Sequence, residues 1–222
     1  MYSSYVKKLQ LSFKKTGLIP GKAPSEAEQR EFIRQIDYHS QQKETVLLFF
    51  DACHLLYNVV NARMWQPRGK KGTIAIKSNT GRKRINILGA LDIADLSTHI
   101  TLTEETCNAE RVIQFLQKVR DAYPDAKIVF VLDNARYNYA KATRAFAEEN
   151  NILLLFLPPY APNLNLIERL WKFAKKHLVN NNYHDEFSQF VDAADTFFNN
   201  LGDYYQELES LLTQKFQIIH AE

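Results

Sequence analysis

The chain has 222 residues, 45% of them hydrophobic and 24% charged, with 27 aromatic side chains. That is enough for one ordinary domain with an extension and a substantial core. No apolar stretch is long enough to cross a bilayer, and the amino terminus, with Lys7, Lys8, Lys14 and Lys15 among polar residues, lacks a secretory signal pattern. The only cysteines, Cys53 and Cys107, lack paired metal spacing, which predicts reduced thiols in a cytoplasmic protein. The net charge of +3 hides an asymmetry: residues 1–184 hold 27 Lys and Arg against 17 acids, whereas residues 185–222 hold one Lys against 8 acids. Between Asp51 and Asp92 lie eight basic residues and no acid. Such a stretch is either a solvated face or a polyanion contact.

In chain order, residues 5–13 suit a short helix, and Gly17 to Pro24 suits a linker. Ser25 and Glu28 stand in capping-box spacing at the head of a helix reaching Ile36. The expected division is an N-terminal helix and linker over 1–40 and a main domain over 41–222 that includes the C-terminal helices. Strand 45–51 opens the second part, followed by a strand or hairpin at 57–65, a short strand at Ile74–Ile76, another at Ile85–Leu91 and an edge strand at 98–102. Val112, Phe115, Leu116, Val119 and Tyr123 share one face of a helix over 108–122. Strand 127–133, a helix near 139–150 and strand 152–157 come next. A proline-rich loop, Pro158 to Pro162, leads into a helix over 164–179, then helices at 187–201 and 204–219. This order predicts an α/β fold, a mixed sheet flanked by helices, with a short N-terminal arm and C-terminal helices.

Three carboxylates stand out. Asp51 and Asp133 each close a continuous apolar run, Val46–Phe50 and Ile128–Leu132, of the kind buried on both faces of a sheet. Glu168 opens the basic helix after the proline-rich loop. Taken singly, each has a plainer explanation: Asp133-Asn134-Ala135 suits a turn, and Asn165 to Glu168 has capping-box spacing. Together they form an all-oxygen ligand set of the kind that holds Mg²⁺. Two divalent cations about 3.5–4 Å apart can serve the entering and leaving oxygens of a phosphodiester. Nucleoside-triphosphate loops fit poorly, because none of the seven glycines lies between Ala90 and Leu201. A nucleophile-elbow motif is also missing.

The segment Val131–Ala135, followed by Leu155-Phe-Leu-Pro-Pro-Tyr-Ala-Pro-Asn-Leu-Asn-Leu-Ile-Glu-Arg-Leu-Trp171, resembles the catalytic signature of the mariner-type DDE transposase superfamily, in its bacterial insertion-sequence branch. Thirty-four residues separate Asp133 from Glu168, the spacing that branch favours. Asp51-Ala-Cys-His54 resembles the first catalytic strand of that family, and Trp65–Gly69 and Arg84–Ala90 resemble the segment after that strand. The likeness spans residues 45–180.

The resemblance implies an RNase H-like fold with Asp51, Asp133 and Glu168 as catalytic and metal-binding triad. Two Mg²⁺ ions, replaceable by Mn²⁺, would serve cleavage of DNA at transposon ends and strand transfer at TA dinucleotides. It implies DNA partners, pairing of subunits into a homo-dimer and a nucleoid-associated location. Arg68, Lys70, Lys71, Arg82, Lys83 and Arg84 are candidate phosphate contacts, as are Arg169, Lys172, Lys175 and Lys176. There are departures: Asn138 stands where many relatives have His, and Leu166 replaces a common Pro. About 40 residues precede the first strand, too few for paired helix-turn-helix modules, so the expectation is an upstream reading frame whose DNA-recognition product is joined by frameshifting, a 5′-truncated copy, or a separate recognition subunit. Two alternatives stay open: a host nuclease of this fold without strand transfer, and a transposase-derived DNA-binding protein that does not cut. His54 is expected to pack or hydrogen-bond, Trp65 and Trp171 to sit in the core, and Tyr160 to shape the loop presenting Glu168.

Overall fold

The computed structural model describes residues 21–68, 72–79 and 81–219. The expected helix at 5–13 and the candidate contacts Lys70 and Lys71 lie outside the described residues. Helix α1 (Glu26–Ser40) begins with the capping box foreseen at Ser25 and Glu28 and buries Gln29, Phe32 and Ile36. Strand β1 (Thr45–Leu56) follows, then β2 (Arg84–Asp92), β3 (Thr98–Thr103), α2 (Ala109–Ala122), β4 (Lys127–Leu132), α3 (Lys141–Glu149) and β5 (Ile152–Phe156). Helices α4 (Ile167–Leu178), α5 (Phe187–Asn199) and α6 (Tyr205–Leu211) complete the order.

The five strands form one mixed sheet in the order β3-β2-β1-β4-β5. The β1–β2 and β2–β3 pairs are antiparallel, while β1–β4 and β4–β5 are parallel. The central strands are buried on both faces, which accounts for their unbroken apolar runs. Alternate residues feed two cores. Leu48, Phe50, Phe130 and Leu132 pack with Val112, Phe115, Leu116 and Val119 of α2. Leu47, Phe49, Val129 and Val131 pack on the other side with Phe32 and Ile36 of α1, α4 and α5. In α4, Ile167, Leu170, Trp171, Ala174 and Leu178 all bury, at the spacing of a single helical face.

Four expectations need correction. β1 does not stop at Asp51 but runs five residues further, because β2 supplies partners as far as Leu56. Neither 57–65 nor 74–76 forms a strand; Val60 leaves the sheet and makes a single parallel bridge to Asn180. The last helix ends at Leu211 rather than near 219. Its continuation is pulled into irregular chain because the Arg169 guanidinium takes the carbonyls of Leu211, Thr213 and Lys215. Trp65, expected in the core, is 101% exposed, because the segment carrying it never joins the sheet.

Candidate active site

The sheet register brings the two aspartates level. Phe49 pairs with Val131, and continuing that parallel register by two residues sets Asp133 beside Asp51 on the same face. β4 ends at Leu132, so Asp51 is mid-strand towards β2 yet has lost its strand neighbour on the β4 side. That open flank is the floor of a cleft of about 470 Å³. Asp51, Asp133 and Glu168 all line it, with Asn134, Tyr160 and Asn165 among the other walls.

Each carboxylate is held by its own neighbours. The Trp171 indole Nε1 donates to Asp51 Oδ2 at 3.0 Å. Asp133 Oδ1 accepts from the Ala135 backbone N–H at 3.1 Å, the turn anticipated for this triplet, and from Asn138 Nδ2 at 2.8 Å. Asn138 thus keeps a contact to the second aspartate although it is not the residue common among relatives. Glu168 lies in the first turn of α4, where the positive end of the helix favours a negative charge.

The loop before it is pinned rather than capped. The expected Asn165–Glu168 capping box does not form: the cap position falls on Leu166, and Asn165 Nδ2 instead donates to the Phe50 carbonyl, adjacent to Asp51. Tyr160 sits at φ 60°, a left-handed conformation that turns the chain within the proline-rich loop. Asn134 Nδ2 ties the far end of the loop by donating to the Leu157 carbonyl at 2.8 Å.

The electrostatics follow from crowding. Asp51 is pushed up to about 7, first by burial and then by the negative charges of Glu168 and Asp133. Burial, reinforced by Asp133 and Asp51, also raises the Tyr137 phenol and keeps it protonated. Among the described residues no three His, Cys, Asp or Glu side chains stand close enough together to hold a metal ion as placed. The donor chemistry nevertheless suits a hard divalent cation: three carboxylates face one cleft, and their mutual repulsion is what a positive ion relieves.

The candidate DNA contacts are dispersed. Arg68 is exposed on the long segment between β1 and β2, and Arg82, Lys83 and Arg84 are exposed where β2 begins. The Lys83 ammonium lies 4.9 Å from the Phe187 ring centre. Lys172, Lys175 and Lys176 are exposed along α4; Lys172 and Lys176 share a groove with Lys215. Arg169 is half-buried, and its guanidinium is engaged by three backbone carbonyls. Cys53 and Cys107 are both free, and burial lifts the Cys53 thiol to about 11. His54 is exposed on the sheet face opposite Asp51.

Two residues matter to the site beyond those the sequence marks. Trp171 was expected only to fill space, yet its one polar atom is spent on Asp51; its position three residues after Glu168 was the available signal. Gly89 lies opposite Asp51 in the β1–β2 register. A Cβ there would fall 2.4 Å from Trp171 Cη2, so the bare strand makes room for the indole.

The family model described as DDE superfamily endonuclease matches residues 46–191. The chain belongs to this family. A curated relative, the uncharacterized protein y4pE/y4sA of Sinorhizobium fredii, is 27% identical over 106 residues, covering 47% of this chain and 76% of the relative. Among solved structures, the Mos1 transposase paired-end complex with left transposon end matches with a TM-score of 0.67 at 16% identity, over 97% of this chain and 71% of that one. The Mos1 mariner paired end complex with Mn gives 0.69 at 19% identity, over 95% and 67%. The catalytic domain of Mos1 mariner transposase gives 0.57 at 18% identity, over 91% and 94%. The mixed sheet between helices is therefore the RNase H-like fold of a DDE transposase catalytic domain. Among the described residues, no helix is long and apolar enough to cross a membrane.

Proposed function

We propose that this DDE endonuclease is a transposase catalytic domain that hydrolyses phosphodiester bonds at transposon ends and joins the freed 3′-hydroxyl to target DNA. The observation that carries this reading is the convergence of Asp51, Asp133 and Glu168, from three separate segments, on one cleft. Two Mg²⁺ ions, or Mn²⁺ in their place, would be held by Asp51, Asp133 and Glu168. They would supply activation of the attacking oxygen and neutralisation of the departing one. Metal-bound relatives of the same fold, the Mos1 complexes with Mn and with Mg, support that assignment.

The protein's own part is orientation. Trp171 fixes one oxygen of Asp51, Asn138 and the Ala135 amide fix Asp133, and Asn165 pins the Glu168 loop to β1. The exposed Arg68, Arg82, Lys83, Arg84, Lys172, Lys175 and Lys176 would hold DNA by its phosphates, which positions the duplex without reading its sequence. Subunits would pair across two transposon ends.

The test uses a duplex carrying the element's end, with Mg²⁺ or Mn²⁺, and then a precut end with a TA-containing target. Metal-dependent nicking followed by joined products is expected. Nicking without joining would replace the reading by that of a nuclease. No nicking by the wild-type chain with either cation would overturn it.

A further inference from the structure

Gln29 is a fully buried polar residue on the core face of α1, with every hydrogen-bonding position of its amide in use. Its Nε2 donates to the carbonyls of Pro24 at 2.9 Å and Ile219 at 2.8 Å. Its Oε1 accepts from the Ile219 N–H at 3.0 Å and from Asn163 Nδ2 at 3.1 Å. One side chain therefore joins the head of α1, the end of the described chain and the loop that leads to Glu168. Asn163 lies in the 3₁₀ turn Pro162–Leu164, five residues before Glu168, and its Nδ2 also donates to the Gln217 carbonyl at 2.8 Å.

The same C-terminal segment grips the other side of Glu168. Arg169, the next residue along, donates to the carbonyls of Leu211, Thr213 and Lys215. Phe216 reaches the core beside Phe49, two residues before Asp51, with ring centres 6.3 Å apart. Residues 212–219 form neither helix nor strand, so these contacts, not a backbone ladder, order them. Such an ordered irregular stretch must recover its conformational entropy from what it touches. What it touches flanks the acid on α4.

We infer that Gln29 and the segment 211–219 form a positioning clamp that fixes the Pro162–Asn165 turn and the start of α4, and through them the direction of Glu168. Gln29 is a positioning residue, remote from the reacting atoms. The clamp matters because a ligand set must be held to about 0.5 Å, and a misplacement of about 1 Å can cost on the order of 100-fold in rate. The clamp rests on the proposed cleavage reading only for its effect on rate; its mechanical part stands apart from activity.

The decisive variant is Gln29→Met, which keeps volume and flexibility but leaves Asn163 and Ile219 without their partner. Amide hydrogen exchange in the metal-free protein is the first readout. Exchange at Leu164–Arg169 should quicken by about tenfold or more through local opening, while the β1 and β4 amides keep their protection. The second readout is cleavage: kcat should fall about 10- to 100-fold with KM for DNA within twofold, and half-maximal activity should need more Mg²⁺. Gln29→Glu keeps the accepting oxygen but sets a second oxygen against the Pro24 and Ile219 carbonyls, so it should quicken the same exchange. Should Gln29→Met fail to fold, Asn163→Ala removes the bridge from the half-exposed side, with the same local quickening expected. Unchanged exchange at 164–169 in a folded variant overturns the clamp, as does quickened exchange with unchanged kcat and Mg²⁺ dependence. Wild-type protein that never cleaves while the exchange result holds counts against the cleavage reading alone and supports the clamp.

Discussion

The cleft has two unlike sides. Asp51 stands on the sheet and Asp133 directly after it, where β1 is zipped to β2 from Leu48 to Leu56 and β4 is held between β1 and β5. Glu168 stands on a helix entered through a loop whose geometry depends on individual side chains: Asn134, Asn163, Asn165 and Arg169. Backbone pairing sets the chain positions of the first two acids, while Trp171 and Asn138 turn their carboxylates. The third depends on polar side chains for the course of its backbone as well. Substitutions that spare Trp171, Gly89 and Asn138 should therefore be tolerated better on the sheet side than on the loop side.

The sharpest way to probe both sides is to remove the acids themselves. Asp133→Asn and Glu168→Gln preserve shape and should each reduce metal-dependent strand cleavage to background, with an unchanged circular dichroism spectrum and melting temperature at or above wild type. Near-normal cleavage by either variant would remove that residue from the proposed triad.

The next effect is on the pair that links the two sides. Trp171→Phe deletes the donor to Asp51 while keeping an aromatic ring, and loss of such an outer contact costs about 10–100-fold in metal affinity or activity. Gly89→Ala attacks the same contact from the strand. Its Cβ cannot coexist with the indole at 2.4 Å, so the ring or the strand must shift. Overpacking of this kind costs about 1–3 kcal/mol. Chemical denaturation and cleavage rates on both variants check this; a Gly89→Ala protein as stable and active as wild type would mean the indole does not need that space.

The same contrast explains what the sequence revealed. Apolar runs closed by Asp133 and by Asp51 announce themselves, because burial on both faces of a sheet demands them. The turn at Asp133-Asn134-Ala135 and the capping box at Ser25 were equally legible, being local. The overhang of β1 beyond Asp51 was not, since it depends on β2 extending further than β4. Gln29 reads as an ordinary helix residue, for two of its three partner residues, Asn163 and Ile219, come from distant segments. Trp65 misled because its composition suits a core while its segment leaves the sheet. Pairwise tertiary contacts have no one-dimensional signature.

A smaller effect concerns stability on the sheet side. In the folded metal-free protein Asp51 titrates at about 7, against an ordinary value of 3.8. The folded state therefore keeps a proton that the unfolded chain has already released. Stability should fall as pH rises between those two values and stay level above the higher one. Asp51→Asn should flatten this part of the profile and make the metal-free protein more stable than wild type at pH 7.5, by about 1–3 kcal/mol. Denaturation of both proteins in chelator from pH 4.5 to 8 measures the difference. Parallel profiles would show that burial and the charges of Glu168 and Asp133 do not raise Asp51.

The smallest expected change in stability lies in the segment between β1 and β2, which belongs to neither side of the cleft. Trp65 is wholly exposed, with Met64, Ile74 and Ile76 partly exposed on the same segment. Replacing it by Ala removes no buried area, so stability should stay within about 0.5 kcal/mol of wild type. Its neighbours Arg63 and Arg68 are exposed cations, and a flat aromatic among cations suits contact with DNA, where stacking on a base is worth about 1–3 kcal/mol. Trp65→Ala should then weaken DNA binding about 5- to 150-fold by that measure while leaving the melting temperature untouched. Fluorescence anisotropy with single-stranded and duplex DNA, set beside thermal denaturation, separates the two quantities. A fall in melting temperature with unchanged DNA affinity would mean that Trp65 packs against the protein in solution, and that this segment is a third structural region rather than a surface for nucleic acid.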